Sequence, residues 1–441
     1  MSMQRDRFDD VDVQRMSMQR DRFDDVDVQR MSLMQHLIAL FDYNMHRYGL
    51  SPGDTYAIAV SGGSDSMALL WLAHHWQSAY GGRIVALTVD HRLRQESATE
   101  AAGVGQWCHA QGIEHHILTW QHDGVSSAVQ ARARQARYDL MSQWCADHGI
   151  RTLLLAHHRD DQVETLLLRL ARGTGAFGAA GISGCRWHRG VRFVRPLLSV
   201  AKKLLLDLAK AYTLPVVNDP SNTQGRFARV QARALLRSNP ELTPRLFELT
   251  EMYGVWRHAL ECQAQQWLNE RIYVSEAGWI EIRGGVTLGL KEARALQHVA
   301  QVINGGQYVP EWQEFLKLLR QLQNAPHGHI KTLAGCWWVK ARNSLKVLRE
   351  YRKCNFGKQP LVQAQRALWW DGRWRLEVPG ELAARRGYIA PLGEIGARYL
   401  GRPLRREVLT FPGFWVGNHV EPIEATFNPL KKLDDWAFAV I

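Results

Sequence analysis

A chain of 441 residues with 46% hydrophobic and 22% charged residues can build two or three globular cores, and its composition excludes wholesale disorder. Its 55 Lys and Arg against 43 Asp and Glu leave a formal charge of +12, which favours a polyanionic partner, with nucleic acid the leading expectation. No apolar run approaches the ~20 residues of a membrane span. The six cysteines, Cys108, Cys145, Cys185, Cys262, Cys336 and Cys354, form no Cys-x-x-Cys pair, so a reduced, cytoplasmic setting without a membrane is expected.

At the N-terminus, Met1–Arg15 recurs unchanged as Met16–Arg30. Each copy holds three Arg and four Asp, a charge of −1, so the remainder carries +14 (12 plus 2). Two units with so few apolar residues cannot bury a core, and residues 1–30 are expected to be a disordered extension or a misassigned start, with Met31 or Met34 as alternative initiators.

From Tyr56 onward, short β-branched runs alternate with amphipathic stretches. Strands are predicted at Tyr56–Val60, Ile84–Val89, Glu114–Leu118 and Thr152–Ala156, and helices at Met67–Gln77, Ala98–Gln111, Val129–His148, Val163–Arg172 and Ala201–Tyr212. This alternation gives an α/β, doubly wound parallel sheet over residues 31–232. Residues 233–350 read as a mainly helical domain with a hairpin-like insert at Tyr273–Arg283, and residues 357–441 as a small α+β domain.

The chemistry concentrates in two places. Ser61-Gly62-Gly63-Ser64-Asp65-Ser66 lies between a predicted strand and a predicted helix, where two glycines admit phosphate oxygens to the backbone and the helix N-terminus offers free N–H groups. The serines add hydroxyl donors, and Asp65 is suited to hold Mg²⁺. No Gly-Lys-Ser/Thr closes the loop, so it is not a Walker A motif. In Ala156-His157-His158-Arg159-Asp160-Asp161-Gln162-Val163-Glu164-Thr165, Asp161 and Glu164 share one helix face and could clamp an ammonium group or a metal. The same acidic turn could equally be a solvated complement to the helix dipole. Trp337 and Trp338 could stack on bases, although such a run more often marks a buried strand.

The Ser61–Ser66 loop resembles that of the N-type ATP pyrophosphatases, the PP-loop superfamily, which adenylate an oxygen and then displace AMP. Ala133–Tyr138, Arg172-Gly173-Thr174-Gly175 with Gly178 and Gly181, Arg195-Pro196-Leu197-Leu198, the His-His-x-Asp-Asp-Gln-x-Glu-Thr run and Asn218–Asn222 together are similar to the bacterial tRNA(Ile)-lysidine synthetases, in register over roughly Tyr56–Arg233. The resemblance implies an adenine nucleotide alpha hydrolase-like fold and a ligase that consumes ATP with Mg²⁺. It also implies transfer of free L-lysine to the wobble cytidine of isoleucine tRNA with a CAU anticodon. By the same resemblance Ser61, Gly62, Gly63, Ser64, Asp65 and Ser66 would bind ATP, Asp65 and Asp161 would be catalytic, and Arg137, Asp161 and Glu164 would hold lysine. Arg229, Arg233, Arg402, Arg405 and Arg406 are expected to meet tRNA. The oligomeric state, a homodimer included, stays open.

Three departures from the family pattern stand out. Arg92 follows His91 where the family commonly has glycine, Arg229-Val230-Gln231-Ala232-Arg233 keeps two arginines but loses an asparagine, and Gly396–Arg406 carries Arg398, Arg402, Arg405 and Arg406 in place of a lysine-rich stretch. Two rival readings are a PP-loop 2-thiocytidine synthetase, which would want the missing Cys-x-x-Cys pair, and a non-catalytic RNA-binding protein, which would not need the intact loop and carboxylates.

Overall fold

The computed structural model describes residues 25–92, 96–121, 129–217, 227–284, 287–306, 310–353, 359–360, 367–385, 387–402 and 409–427. Two compact units share the chain. The first runs through Leu168 and resumes at Val194–Thr243; the second takes Arg169–Phe193 and everything from Pro244.

In the first unit, helix α1 (Asp25–Arg47) starts inside the second copy of the repeat, so the expected boundary at residue 30 falls within a helix. Residues 1–24 lie outside the described residues. Alternation of strand and helix then follows as β1 (Thr55–Ala59), α2 (Ser64–Tyr80), β2 (Arg83–Asp90), α3 (Glu96–Ala110), β3 (Glu114–Thr119), α4 (Val129–Asp147), β4 (Thr152–Leu154) and α5 (Arg159–Leu170). The four strands are parallel in the order β3-β2-β1-β4. Ala57 and Ile58 of β1 and Val85, Ala86 and Leu87 of β2 are fully buried, as expected of strands covered by helices on both faces. Beyond β4, the Leu155 N–H donates to the Val194 carbonyl at 2.8 Å.

The chain therefore builds outward from β1 through β2 to β3, then crosses to the other side of β1 to lay down β4. Such a reversal opens a crevice at the carboxyl ends of the two strands that flank it, and ligands of open α/β sheets settle there. The loops after β1 and β4 are Ser61–Ser66 and Leu155–His158. Helices α7 (Lys202–Ala211) and α8 (Phe227–Ser238) complete the unit.

Within Arg169–Phe193 of the second unit lie a short helix, α6 (Ala176–Ala179), and strand β5 (Cys185–His188), while strand β6 (Val191–Val194) ends the segment. From Pro244 to Gln323 helices account for most of the chain, and a two-stranded antiparallel hairpin overlaps the expected insert at Tyr273–Arg283. Helices α9 (Leu242–Asn269), α10 (Leu290–Ile303) and α11 (Trp312–Gln323) share this unit with five antiparallel strands, β7 (Ile272–Val274), β8 (Ile280–Arg283), β9 (Ile330–Leu333), β10 (Cys336–Lys340) and β11 (Ser344–Arg349), in the order β7-β8-β11-β10-β9. Trp338 is fully buried with its ring edge-on to Phe315, and its indole N–H donates to the Leu333 carbonyl. It is a core residue of a strand and not a stacking platform for bases.

The C-terminal part holds two small antiparallel sheets of four and three strands around Trp370, Trp374 and Phe414. Arg349 and Arg373 converge on Asp371, all three essentially without solvent exposure. Two arginines around one carboxylate satisfy a charge that could not otherwise be buried. A Cβ on Gly305 would fall 2.0 Å from the Asp371 carbonyl oxygen, so the backbones touch where no side chain fits.

Candidate active site

The loop after β1 folds on its own serines. Gly62 takes φ +80°, a left-handed conformation that glycine adopts without strain, and its carbonyl accepts the Val217 N–H at 2.9 Å. Gly63, extended at φ −72°, caps α2. The Ser66 hydroxyl donates to the Gly63 carbonyl at 2.9 Å and receives the Ser61 N–H at 3.1 Å, while the Ser61 hydroxyl lies 3.2 Å from it. Ser64 reaches the Asp65 carboxylate at 3.3 Å. The turn is thus held by side chains, with the N-terminus of α2 beneath it.

His158, at the head of α5, is buried and joins the loop to the acidic run. Its Nε2 lies 3.4 Å from Asp65 Oδ2 and 3.5 Å from Asp161 Oδ2, and its Nδ1 lies 3.7 Å from Asp160 Oδ2. The Asp161 carboxylate also accepts the His158 backbone N–H at 3.1 Å, the backward half of a capping box. The capping and the chemical readings of the acidic turn are therefore both realised in one side chain. Asp160 accepts the Lys202 backbone N–H at 2.9 Å, and Lys202 Nζ lies 3.4 Å from Asp65 Oδ2.

Burial works against ionisation of Asp65, but the hydrogen bond and charge of His158, with Lys202 behind them, outweigh it and hold the carboxyl below its usual range. Burial likewise disfavours the His158 imidazolium, yet its hydrogen bond to Asp65 and the charges of Asp161 and Asp65 raise its pKa above the ordinary value. Asp65 is 27% and Asp161 29% exposed, so both keep oxygens toward the crevice.

Glu164 lies one turn along α5 from Asp161, is nearly buried, and pairs with Arg233 of α8. The hydrogen bond that Arg233 donates to Glu164 raises the Arg233 pKa, and the charges of Glu164, Asp161 and Asp65 act in the same direction. Arg137 of α4 donates from Nε and Nη2 to His91 Nε2 at 3.2 and 3.1 Å. The structure thus gathers Ser61–Ser66, Asp161, Glu164 and Arg233 at the crevice, with Arg137 held by the residue that follows β2. Arg229 is exposed on α8, and Arg402 lies in the second unit with its guanidinium 4.7 Å from the Phe411 ring centroid. Arg405, Arg406 and Asn218–Asn222 lie outside the described residues.

The glycine-rich stretch after α5 is structural in what the contacts show. Arg169 donates to the carbonyls of Gly178 and Gly181, and Arg257 of α9 also donates to Gly181. A Cβ on Gly178 would lie 1.6 Å from the Thr174 hydroxyl.

Sequence reasoning passed over Lys202, and the sign that could have found it is its place. Two lysines open α7, where the positive end of the helix dipole disfavours them. The burial of His158 among three carboxylates leaves no local sign in the sequence, because Asp65 lies far from it along the chain.

The PP-loop domain family matches residues 36–240. The chain is 33% identical to the tRNA(Ile)-lysidine synthase of Ruegeria pomeroyi over 87% of this chain and 90% of that protein. It is 32% identical to the tRNA(Ile)-lysidine synthase of Orientia tsutsugamushi over 76% of this chain and 78% of that one. Similarity that extends past the loop-bearing unit and over nine-tenths of a relative's length establishes that the chain belongs to the tRNA(Ile)-lysidine synthase family.

Proposed function

We propose that this protein joins free L-lysine to the wobble cytidine of isoleucine tRNA with a CAU anticodon, in the cytoplasm, cleaving ATP to AMP and pyrophosphate. The observation that carries the reading is the meeting of the serine-glycine loop with Asp65, Asp161 and Glu164 at the crevice between β1 and β4. The loop's backbone and hydroxyls receive the outer phosphates, leaving the α-phosphorus facing the acidic turn. Cytidine O2 attacks that phosphorus, a P–O bond forms, the α–β anhydride breaks and pyrophosphate leaves. An amine of lysine then attacks C2, the C–O bond to AMP breaks, and the amine loses a proton.

Asp65 and Asp161 offer hard carboxylate oxygens side by side at one imidazole edge, a donor set that suits Mg²⁺ bound by one or two carboxylates together with phosphate oxygens. When bound there, Mg²⁺ would neutralise charge on the phosphates. Glu164 supplies a nearly buried anion for a lysine ammonium, and Arg137, oriented by His91, supplies a fork for its carboxylate. The exposed arginines of α8 and the basic excess of the chain serve the tRNA.

Purified protein given radiolabelled lysine, ATP and unmodified isoleucine tRNA should label the tRNA, with AMP and pyrophosphate formed one for one. ADP and inorganic phosphate as the main products would overturn the reading.

A further inference from the structure

The Ser61–Ser66 loop carries no cation of its own, and the polyphosphate of ATP is strongly anionic. Half a charge from the α2 dipole and a set of N–H groups match only part of that charge, and a divalent Mg²⁺ would still leave an ATP-sized polyanion with net negative charge. The described contacts bring one ammonium to this loop. Lys202 Nζ lies 3.4 Å from Asp65 Oδ2, longer than a well-formed hydrogen bond, and the side chain is 44% exposed. So loose and wet a pair contributes little to stability. Lys202 also occupies the first turn of α7, where the dipole repels it. Stability therefore does not explain the residue, while its place beside the loop does.

Its backbone, by contrast, is fixed from several sides. Asp160 accepts the Lys202 N–H at 2.9 Å. Past the end of α7, the Val217 N–H bonds the Gly62 carbonyl, and a Cβ on Gly62 would come within 3.3 Å of the Val217 side chain. Tyr212 packs on Trp71 of α2 with ring centroids 4.1 Å apart. The lysine is a half-exposed, loosely paired head on a stem anchored to the phosphate loop. His158 is buried among carboxylates and Arg233 is engaged by Glu164, so neither has the same freedom to turn toward a nucleotide.

We propose that Lys202 is the cation that grips the outer phosphates of ATP, leaving Asp65 as the nucleotide enters and supplying from α7 the point charge that the loop itself lacks. This rests on ATP as the substrate but not on lysine or tRNA. After cleavage the same ammonium holds the departing pyrophosphate, so its contribution is absent for AMP.

The test is calorimetric binding of ATP, inorganic pyrophosphate and AMP to the full chain, with Mg²⁺ and without lysine or tRNA, for the wild type, Lys202→Met and Lys202→Arg. Lys202→Met keeps the stem and should raise the dissociation constants for ATP and pyrophosphate by roughly tenfold or more, the scale of one lost charge-assisted contact, with AMP changed by less than about twofold. Lys202→Arg, which keeps the charge, should recover most of the loss and shows that the site still folds. Equal weakening of ATP and AMP would make Lys202 a residue that acts through Asp65 or the fold and overturn the proposal, as would unchanged binding of all three. A wild type that binds none of them would instead overturn the proposed function, and this inference with it.

Discussion

Arg233 donates from Nε to Oε1 of Glu164 at 2.6 Å, so the carboxylate assigned to a lysine ammonium already has a cation in place. On the proposed reading, lysine either displaces this guanidinium or takes the second carboxylate oxygen beside it. Glu164→Gln should raise the lysine KM by a factor that corresponds to roughly 2–4 kcal/mol for a lost charge-assisted contact, with ATP binding little altered. Steady-state kinetics with each substrate varied in turn reads the difference, and equal effects on both KM values would place Glu164 on the nucleotide side.

Arg229, Arg233 and Arg237 recur every fourth residue along α8 and so share one face, with Arg229 and Arg237 exposed. Neutralising Arg229 and Arg237 to Gln should weaken tRNA binding and reduce the slope of log affinity against log salt by about two, leaving ATP affinity as it was. Filter binding across a salt series measures this. An unchanged slope would take α8 out of the tRNA path.

Arg92 adopts φ +50°, a left-handed conformation that glycine takes without strain, and its N–H is held by Asp90 Oδ1 at 2.9 Å. For an L residue this conformation carries a strain of about 1 kcal/mol. Arg92→Gly should leave urea stability unchanged or raise it by less than about 1 kcal/mol, because glycine's extra freedom in the unfolded chain offsets part of the relief. Arg92→Val should lower stability instead, since a β-branched residue fits that region worst.

In the second unit, burial opposes ionisation of Glu261, but His298 and Arg294, which both bond its carboxylate, hold its pKa well below the usual range. A depressed carboxylate pKa stabilises the fold above the unfolded value of 4.5 and loses that contribution as pH falls through the folded value. Glu261→Gln should therefore cost about 3–5 kcal/mol near pH 7, with the gap from wild type narrowing below pH 4.5. Urea titrations at several pH values give the curve, and a gap independent of acid would show that packing alone is at stake.

The first unit was legible because period and punctuation agree in it. Ser61–Ser66 sits between a buried run and an amphipathic one, and β1 to β3 were each predicted to within a residue or two. The acidic run was legible as chemistry but not as geometry. Its partners, Lys202 and Arg233, lie far along the chain, and no local pattern pairs them with Asp65 and Glu164. The second unit was harder for a different reason. Its strands β9 to β11 are four to six residues long, and Trp337 and Trp338 alternate between partial and complete burial on β10, a distinction that composition cannot make. Nor could the sequence show that the carbonyl of Gly181 would be bonded by both Arg169 and Arg257, residues far apart along the chain.

The first unit's discontinuity sets an order on its making. A ribosome delivers the loop, Asp65, Asp161 and Glu164 before any of Val194–Thr243 exists, at roughly 5–20 residues per second. During that interval the nascent unit is a cluster of carboxylates without Lys202 or Arg233, and without Val194, whose carbonyl receives the Leu155 N–H. His158 is present from the start, but the lysine and arginine that pair with Asp65 and Glu164 are among the last parts of the unit to be synthesised. If Lys202 grips the outer phosphates as proposed, the ability to hold a nucleotide arrives only with the residues that close the unit.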